Sequence, residues 1–112
     1  MKRYCLALDL KNDPDLIAEY EQWHKKISPE IVKSMFDSGV VNLEMYRVTN
    51  RMVMILEVDE SFSLERKAAM DAVNPTVVEW ENLMWKFQQP LPGAKPGDKW
   101  VVMEKFCQLN KP

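Results

Sequence analysis

In the stretch RMVMILEV, residues 51–58, both alternating sets of side chains are apolar: Met52, Met54, Leu56 and Val58 on one side, Val53 and Ile55 on the other. A strand sends successive side chains to opposite faces, so a strand of this kind belongs in a sheet covered on both faces. YCLALDL (4–10) and WVVMEKFC (100–107) read the same way. Helices of the same chain cover one face of such a sheet. The other face predicts a second subunit packed sheet against sheet, that is, a homodimer.

The remaining elements follow from punctuation and period. RYCLALDL is a first strand, and KNDPD behind it places Pro14 at a helix start. Leu16, Ile17, Tyr20, Trp23, His24 and Ile27 form one stripe at three- and four-residue spacing, which predicts a helix from Asp13 or Pro14 to about Lys26. Ser28 caps a second helical segment entered by Pro29, and Gly39 stops it. VVNLEMYRV and RMVMILEV form a hairpin across TNR. Two further helices follow, over DESFSLERKAAMDAV with Ser61 or Ser63 as cap and over NPTVVEWENLMWKF with Asn74 as cap. QQPLPGAKPGDK reads as a Pro/Gly loop, and WVVMEKFCQL as a final strand. Strand–helix–strand–strand–helix–strand is the split βαβ pattern, an α+β ferredoxin-like fold within one domain spanning 1–112.

Composition removes several functions. A formal net charge of −2 and a pI near 5.4 argue against nucleic-acid binding and against a basic membrane surface. No apolar run approaches the ~18 residues of a membrane span, and MKRYCLALDL lacks the length and cleavage pattern of a secretion signal. Cys5 and Cys107 form no CxxC and no ligand cluster, so they read as buried reduced thiols of a cytoplasmic protein, without disulfide or zinc.

There is no phosphate loop, GxSxG, HExxH or paired-cysteine motif. A catalyst here works with one histidine, carboxylates and aromatic rings. Tyr20 and His24 stand four apart and project from one helix face. Beside Leu16 and Ile27, the plain reading of His24 is a helix-face side chain packed against its neighbours. In EWENLMW, Trp80 and Trp85 are flanked by Glu79 and Glu81. They serve either as core or as a stacking platform with adjacent acceptors, the arrangement that suits the flat apolar face and directed hydroxyls of a sugar.

Glu19-Tyr20-x-x-x-His24 in EYEQWH, PEI at 29–31, SGVVNLEMY at 38–46 and EWENLM at 79–84 occur in an order and spacing that resemble the L-rhamnose mutarotase family. The resemblance runs almost end to end. It implies a small ferredoxin-like protein that dimerises as an α+β barrel and interconverts the anomers of a 6-deoxyhexose without a cofactor or metal. It also implies that His24 is the catalytic histidine, that Tyr20 binds substrate, and that Trp80 lines the sugar pocket. Ring opening needs a group that gives and takes protons near pH 7, which assigns His24 as the proton donor to the ring oxygen. The chain departs from the family's rhamnose enzymes at three places: Glu81 replaces a second tryptophan, Leu43 replaces a tyrosine after Asn42, and Ser28 replaces a tryptophan before Pro29-Glu30. Asn42, Glu44 and Glu81 thereby become candidate substrate-binding acceptors or donors, with L-fucose the leading sugar. The second acid–base group is Glu81, Glu44 or water. Other users of this architecture, haem-handling proteins and cofactor-free monooxygenases, and a sugar-binding module without turnover, are the rival readings.

Overall fold

The computed structural model describes residues 2–95 and 97–112. Its elements run β1 (Lys2–Leu10), α1 (Pro14–His24), α2 (Pro29–Asp37), β2 (Val40–Val48), β3 (Arg51–Val58), α3 (Leu64–Ala72), α4 (Pro75–Trp85), β4 (Gln88–Gln89) and β5 (Val101–Val102). The helix entries follow the predicted chemistry. Asp13, Ser28, Ser63 and Asn74 each cap a helix through a side-chain oxygen that accepts backbone N–H groups, and Pro14, Pro29 and Pro75 stand in the first turns. Helix α1 ends at His24 rather than Lys26, with Lys25 closing it. Gly39 follows α2 with φ +104°, and a Cβ there would come within 2.7 Å of Asp59 Oδ1, so α2 can turn into β2 only through glycine.

The sheet is antiparallel, in the order β2-β3-β1-β4, with β5 also on β1. Register sets its two faces. Leu8 pairs Met52, Leu6 pairs Met54, and Met45 pairs Met54, so these side chains share the helix-covered face. Two adjoining clusters fill that face: Leu8, Leu10, Tyr20, Met52, Met84 and Phe87 in one, and Leu6, Val40, Leu56, Val58 and Phe62 in the other, with Trp100 packed against both. On the opposite face lie Ala7, Val53, Cys5 and Ile55, with Asp9 held in a two-pronged pair by Arg51 at 2.8 and 3.1 Å.

Three sequence expectations are corrected. QQPLPGAKPGDK is not wholly loop, because Gln88 and Gln89 form β4 against Leu10 and Asp9 of β1. The final strand is shorter than predicted. Only Val101 and Val102 pair with β1, and after Met103 donates its N–H to the Cys5 carbonyl the chain leaves the sheet. Phe106 and Leu109 are then 95% and 91% exposed, since apolar alternation makes a strand only where something covers it. Cys107 is correspondingly exposed, and Cys5 half-buried; neither is a sealed thiol.

Candidate active site

Between α1, α2 and α4 and the helix-facing side of β2 and β3 lies a cavity of about 410 Å³. Its walls are mostly apolar, including Ile31, Met35, Leu43, Met54 and Val77. In these walls Tyr20 and His24 of α1 meet Trp80 and Gln88, and Glu81, Ser34, Lys67 and Lys99 are further polar residues that border the cavity. A second, more open depression of about 480 Å³, bordered also by Tyr46 and Arg47, shares Tyr20, His24 and Met45 with the first.

The spacing of four on α1 does bring Tyr20 and His24 together. Their ring centroids lie 4.4 Å apart, and the His24 ring meets Trp80 edge-on at 5.5 Å. Phe87 closes the back of Tyr20 at 5.9 Å. His24 Nδ1 donates to the Tyr20 carbonyl at 2.9 Å. A carbonyl only accepts, so this bond places the neutral ring's proton on Nδ1 and leaves Nε2 as a lone-pair acceptor. Burial pulls the His24 pKa below its ordinary value, and the backbone bond and the Glu21 charge oppose that only in part. Arg47 neutralises Glu21 through a 2.7 Å ion pair and tethers α1 to β2.

Tyr20 is 4% exposed, and burial pushes its phenol up to about 12, although a hydrogen bond from Gln88 works the other way. It is therefore a neutral hydroxyl at any physiological pH. Gln88, itself 6% exposed, donates from Nε2 to Tyr20 Oη at 3.1 Å.

Of the residues singled out in the sequence, His24, Tyr20, Trp80 and Glu81 line the cavity. Asn42 borders it, but its amide turns to the other face of the sheet, donating to Glu44 and Glu57. Glu44 is not brought to the cavity. Leu43 and Met45 on either side of it face inward, so Glu44 is exposed on the opposite face and accepts from Tyr46 and Asn42. The sequence also missed Gln88. Read as the first residue of a loop, it carries no motif, and only the β1–β4 pairing puts it in the wall. Lys99 and Trp100, at the end of the same segment, reach the cavity as well.

A family model described as L-rhamnose mutarotase matches residues 3–109. An L-fucose mutarotase of Xanthomonas campestris pv. campestris is 46% identical over 113 aligned positions, covering 99% of this chain and 90% of that protein. A Dictyostelium discoideum protein that carries only a numbered family name is 31% identical, over 97% of this chain and 90% of its own. Among solved structures, an L-rhamnose mutarotase from Formosa agariphila superposes with a TM-score of 0.71 at 19% identity, covering 98% of this chain and 100% of its own. Tetracenomycin F2 cyclase from Streptomyces glaucescens gives 0.61 at 15% identity, over the full length of both chains. These two structures show a shared α+β ferredoxin-like fold, and the family model and the closely similar sequence favour sugar chemistry over the haem and oxygenase readings.

Proposed function

We infer that this chain, which belongs to the L-rhamnose mutarotase family, is an isomerase that interconverts the α and β anomers of a 6-deoxyhexose. The observation that carries the reading is the contact of Tyr20, His24 and Trp80 in the wall of a mostly apolar cavity. The apolar wall suits a C6 methyl group. A hydroxymethyl in its place would bury a hydroxyl without partners, at a cost of roughly 1–3 kcal/mol.

Mutarotation breaks C1–O5, removes a proton from the anomeric hydroxyl and supplies one to O5; reclosure on the other face of the aldehyde reverses both transfers. With its proton on Nδ1 and its pKa lowered, His24 is suited to begin as the acceptor, taking the anomeric proton at Nε2. This inverts the donor role expected from the sequence. O5 takes its proton from the Tyr20 hydroxyl or from a water on it, and reclosure returns both protons. Trp80 supplies the stacking wall, and Glu81, at the rim, accepts from a ring hydroxyl.

L-fucose is the proposed sugar. The support is the 46% identity to a protein named for it, together with the exchange of aromatic surface for Glu81. Sugars that differ in axial and equatorial hydroxyls are separated by where acceptors stand. We further propose that the chain acts as one domain in a homodimer joined through the face bearing Ala7, Val53 and Ile55, and in the cytoplasm, where the free Cys5 and Cys107 stay reduced.

Exchange NMR of the anomeric protons of L-fucose and L-rhamnose, with catalytic protein, tests the activity. Accelerated exchange, faster for L-fucose and lost in His24→Ala, is the expected result. A rate equal to that of the buffer for both sugars would refute it.

A further inference from the structure

Gln88 is a buried polar side chain that the reaction as described does not use, and its one side-chain hydrogen bond among the described residues spans 68 residues of sequence to the Tyr20 hydroxyl. Conjugation holds a phenol O–H in the plane of its ring, so it has two orientations, on opposite sides of the C–O bond. An N–H arriving at Oη occupies an acceptor position, and the tyrosine proton cannot point back at another hydrogen. Gln88 Nε2 therefore leaves the Tyr20 proton the other orientation, and Oη donates to no described residue. Both side chains line the cavity. Gln88 Oε1 also makes no hydrogen bond with a described residue. Since no fully enclosed side-chain polar atom among them lacks a partner, Oε1 borders open space.

We propose that Gln88 is a positioning residue for mutarotation: it turns the Tyr20 hydroxyl into an obligate donor toward the sugar and offers its own Oε1 as an acceptor beside it. The pair presents one donor and one acceptor on adjacent atoms of the wall, the pattern that recognises a hydroxyl, or a hydroxyl and the ring oxygen next to it. The chain builds this from β4, which has no other feature to recommend it, and anchors it by pairing with Leu10. The proposal rests on the mutarotase reading for its substrate, but the coupling of Gln88 to Tyr20 can be measured without it.

The experiment is a double-mutant cycle of Gln88→Leu and Tyr20→Phe, read by anomer exchange of L-fucose, with Gln88→Glu as a third variant. Gln88→Leu lowers the exchange rate about tenfold, the upper range for one oriented hydrogen bond. In the Tyr20→Phe background the same substitution costs clearly less than about tenfold, because there is no hydroxyl left to orient and only the Oε1 contact remains to be lost. Gln88→Glu, in its ionised form, keeps a hydrogen bond but makes residue 88 the acceptor, so the phenol proton turns away from the sugar and the rate falls at least as far. Multiplying losses in the cycle, or a Gln88→Leu rate equal to wild type, would overturn the proposal. The 13C shift of the Tyr20 Cζ, assigned by its absence in Tyr20→Phe, provides a readout independent of turnover. It moves in Gln88→Leu if the bond exists in solution, and an unmoved shift overturns the coupling. Wild-type protein without accelerated exchange but with that shift would instead remove the mutarotase reading and leave the pair standing.

Discussion

On the helix-covered face of the sheet Leu8 and Leu10 are fully sealed and Met52 and Leu56 are 2% exposed, whereas on the other face Tyr46 and Val48 of β2 are 57% and 72% exposed and Val53 and Ile55 of β3 are only half-buried. Both faces are written in apolar residues, and this chain covers one fully while on the other it buries Ala7 and Asp9 but leaves the β2 and β3 side chains open. The covered face also holds the cavity, with its neutral imidazole, its neutral phenol and the amide bonded to that phenol. The open face carries the paired charges of Asp9 and Arg51 and the polar ladder of Asn42, Glu44, Tyr46 and Glu57 around a small apolar strip. One strand can thus serve catalysis on one side and assembly on the other, because the side-chain period of two keeps the sets apart.

The largest effect expected from this division is His24→Ala, which should lower anomer exchange by roughly 10²–10⁴-fold while circular dichroism and the oligomeric state stay those of wild type. A variant that lost its dimer along with its activity would show that the two faces are not separable.

Packing gives the next test. Leu8→Ala should destabilise by roughly 2–5 kcal/mol in chemical denaturation. Val53→Ala should cost about 1–2 kcal/mol where a second copy covers it and a few tenths where none does. Sedimentation of a Val53→Lys, Ile55→Lys variant separates the cases: a shift from dimer to monomer supports the covered face, and a wild-type monomer ends it.

Alkaline titration probes the buried phenol. With Tyr20 near 12 in the folded protein and 10 unfolded, the associated stability is complete below pH 10 and is lost as pH rises through 12. The loss is roughly 2–3 kcal/mol. Tyr20→Phe should abolish most of that dependence; the exposed Tyr46 is also held above its ordinary value by its hydrogen bond to Glu44, and solvent screening keeps its share minor.

The smallest effects concern the charges that tune the titration of His24. Its folded pKa lies below its unfolded one, so both the stability it contributes and its base form are present above the ordinary histidine value and are lost as pH falls through the folded value. The exchange rate should therefore show an acid limb below about pH 6.5. Arg47→Met frees the Glu21 charge, raises His24 and moves that limb to slightly higher pH; an unmoved limb would mean that the Glu21 charge does not reach the ring.

Much of this was legible in the chain. Caps and prolines marked all four helices, and the i, i+4 spacing placed Tyr20 and His24 on one face, because these are local constraints that neighbouring residues settle among themselves. Glu44 was misplaced for a different reason. Proximity to Asn42 in sequence suggested a shared pocket, but strand alternation sends it to the opposite face. Gln88 was invisible because its role comes from pairing with β1, 78 positions away from Leu10 in sequence.

What the sequence alone determined is the α+β order, the capped helix entries, the doubly apolar strands and the Tyr20–His24 pair, all set by interactions within a few residues. Only the tertiary structure decided which strand face holds the cavity, which nitrogen of His24 is free, and that a glutamine after the last helix orients a tyrosine on the first. Those outcomes depend on register and on burial, which exist only once distant segments have met.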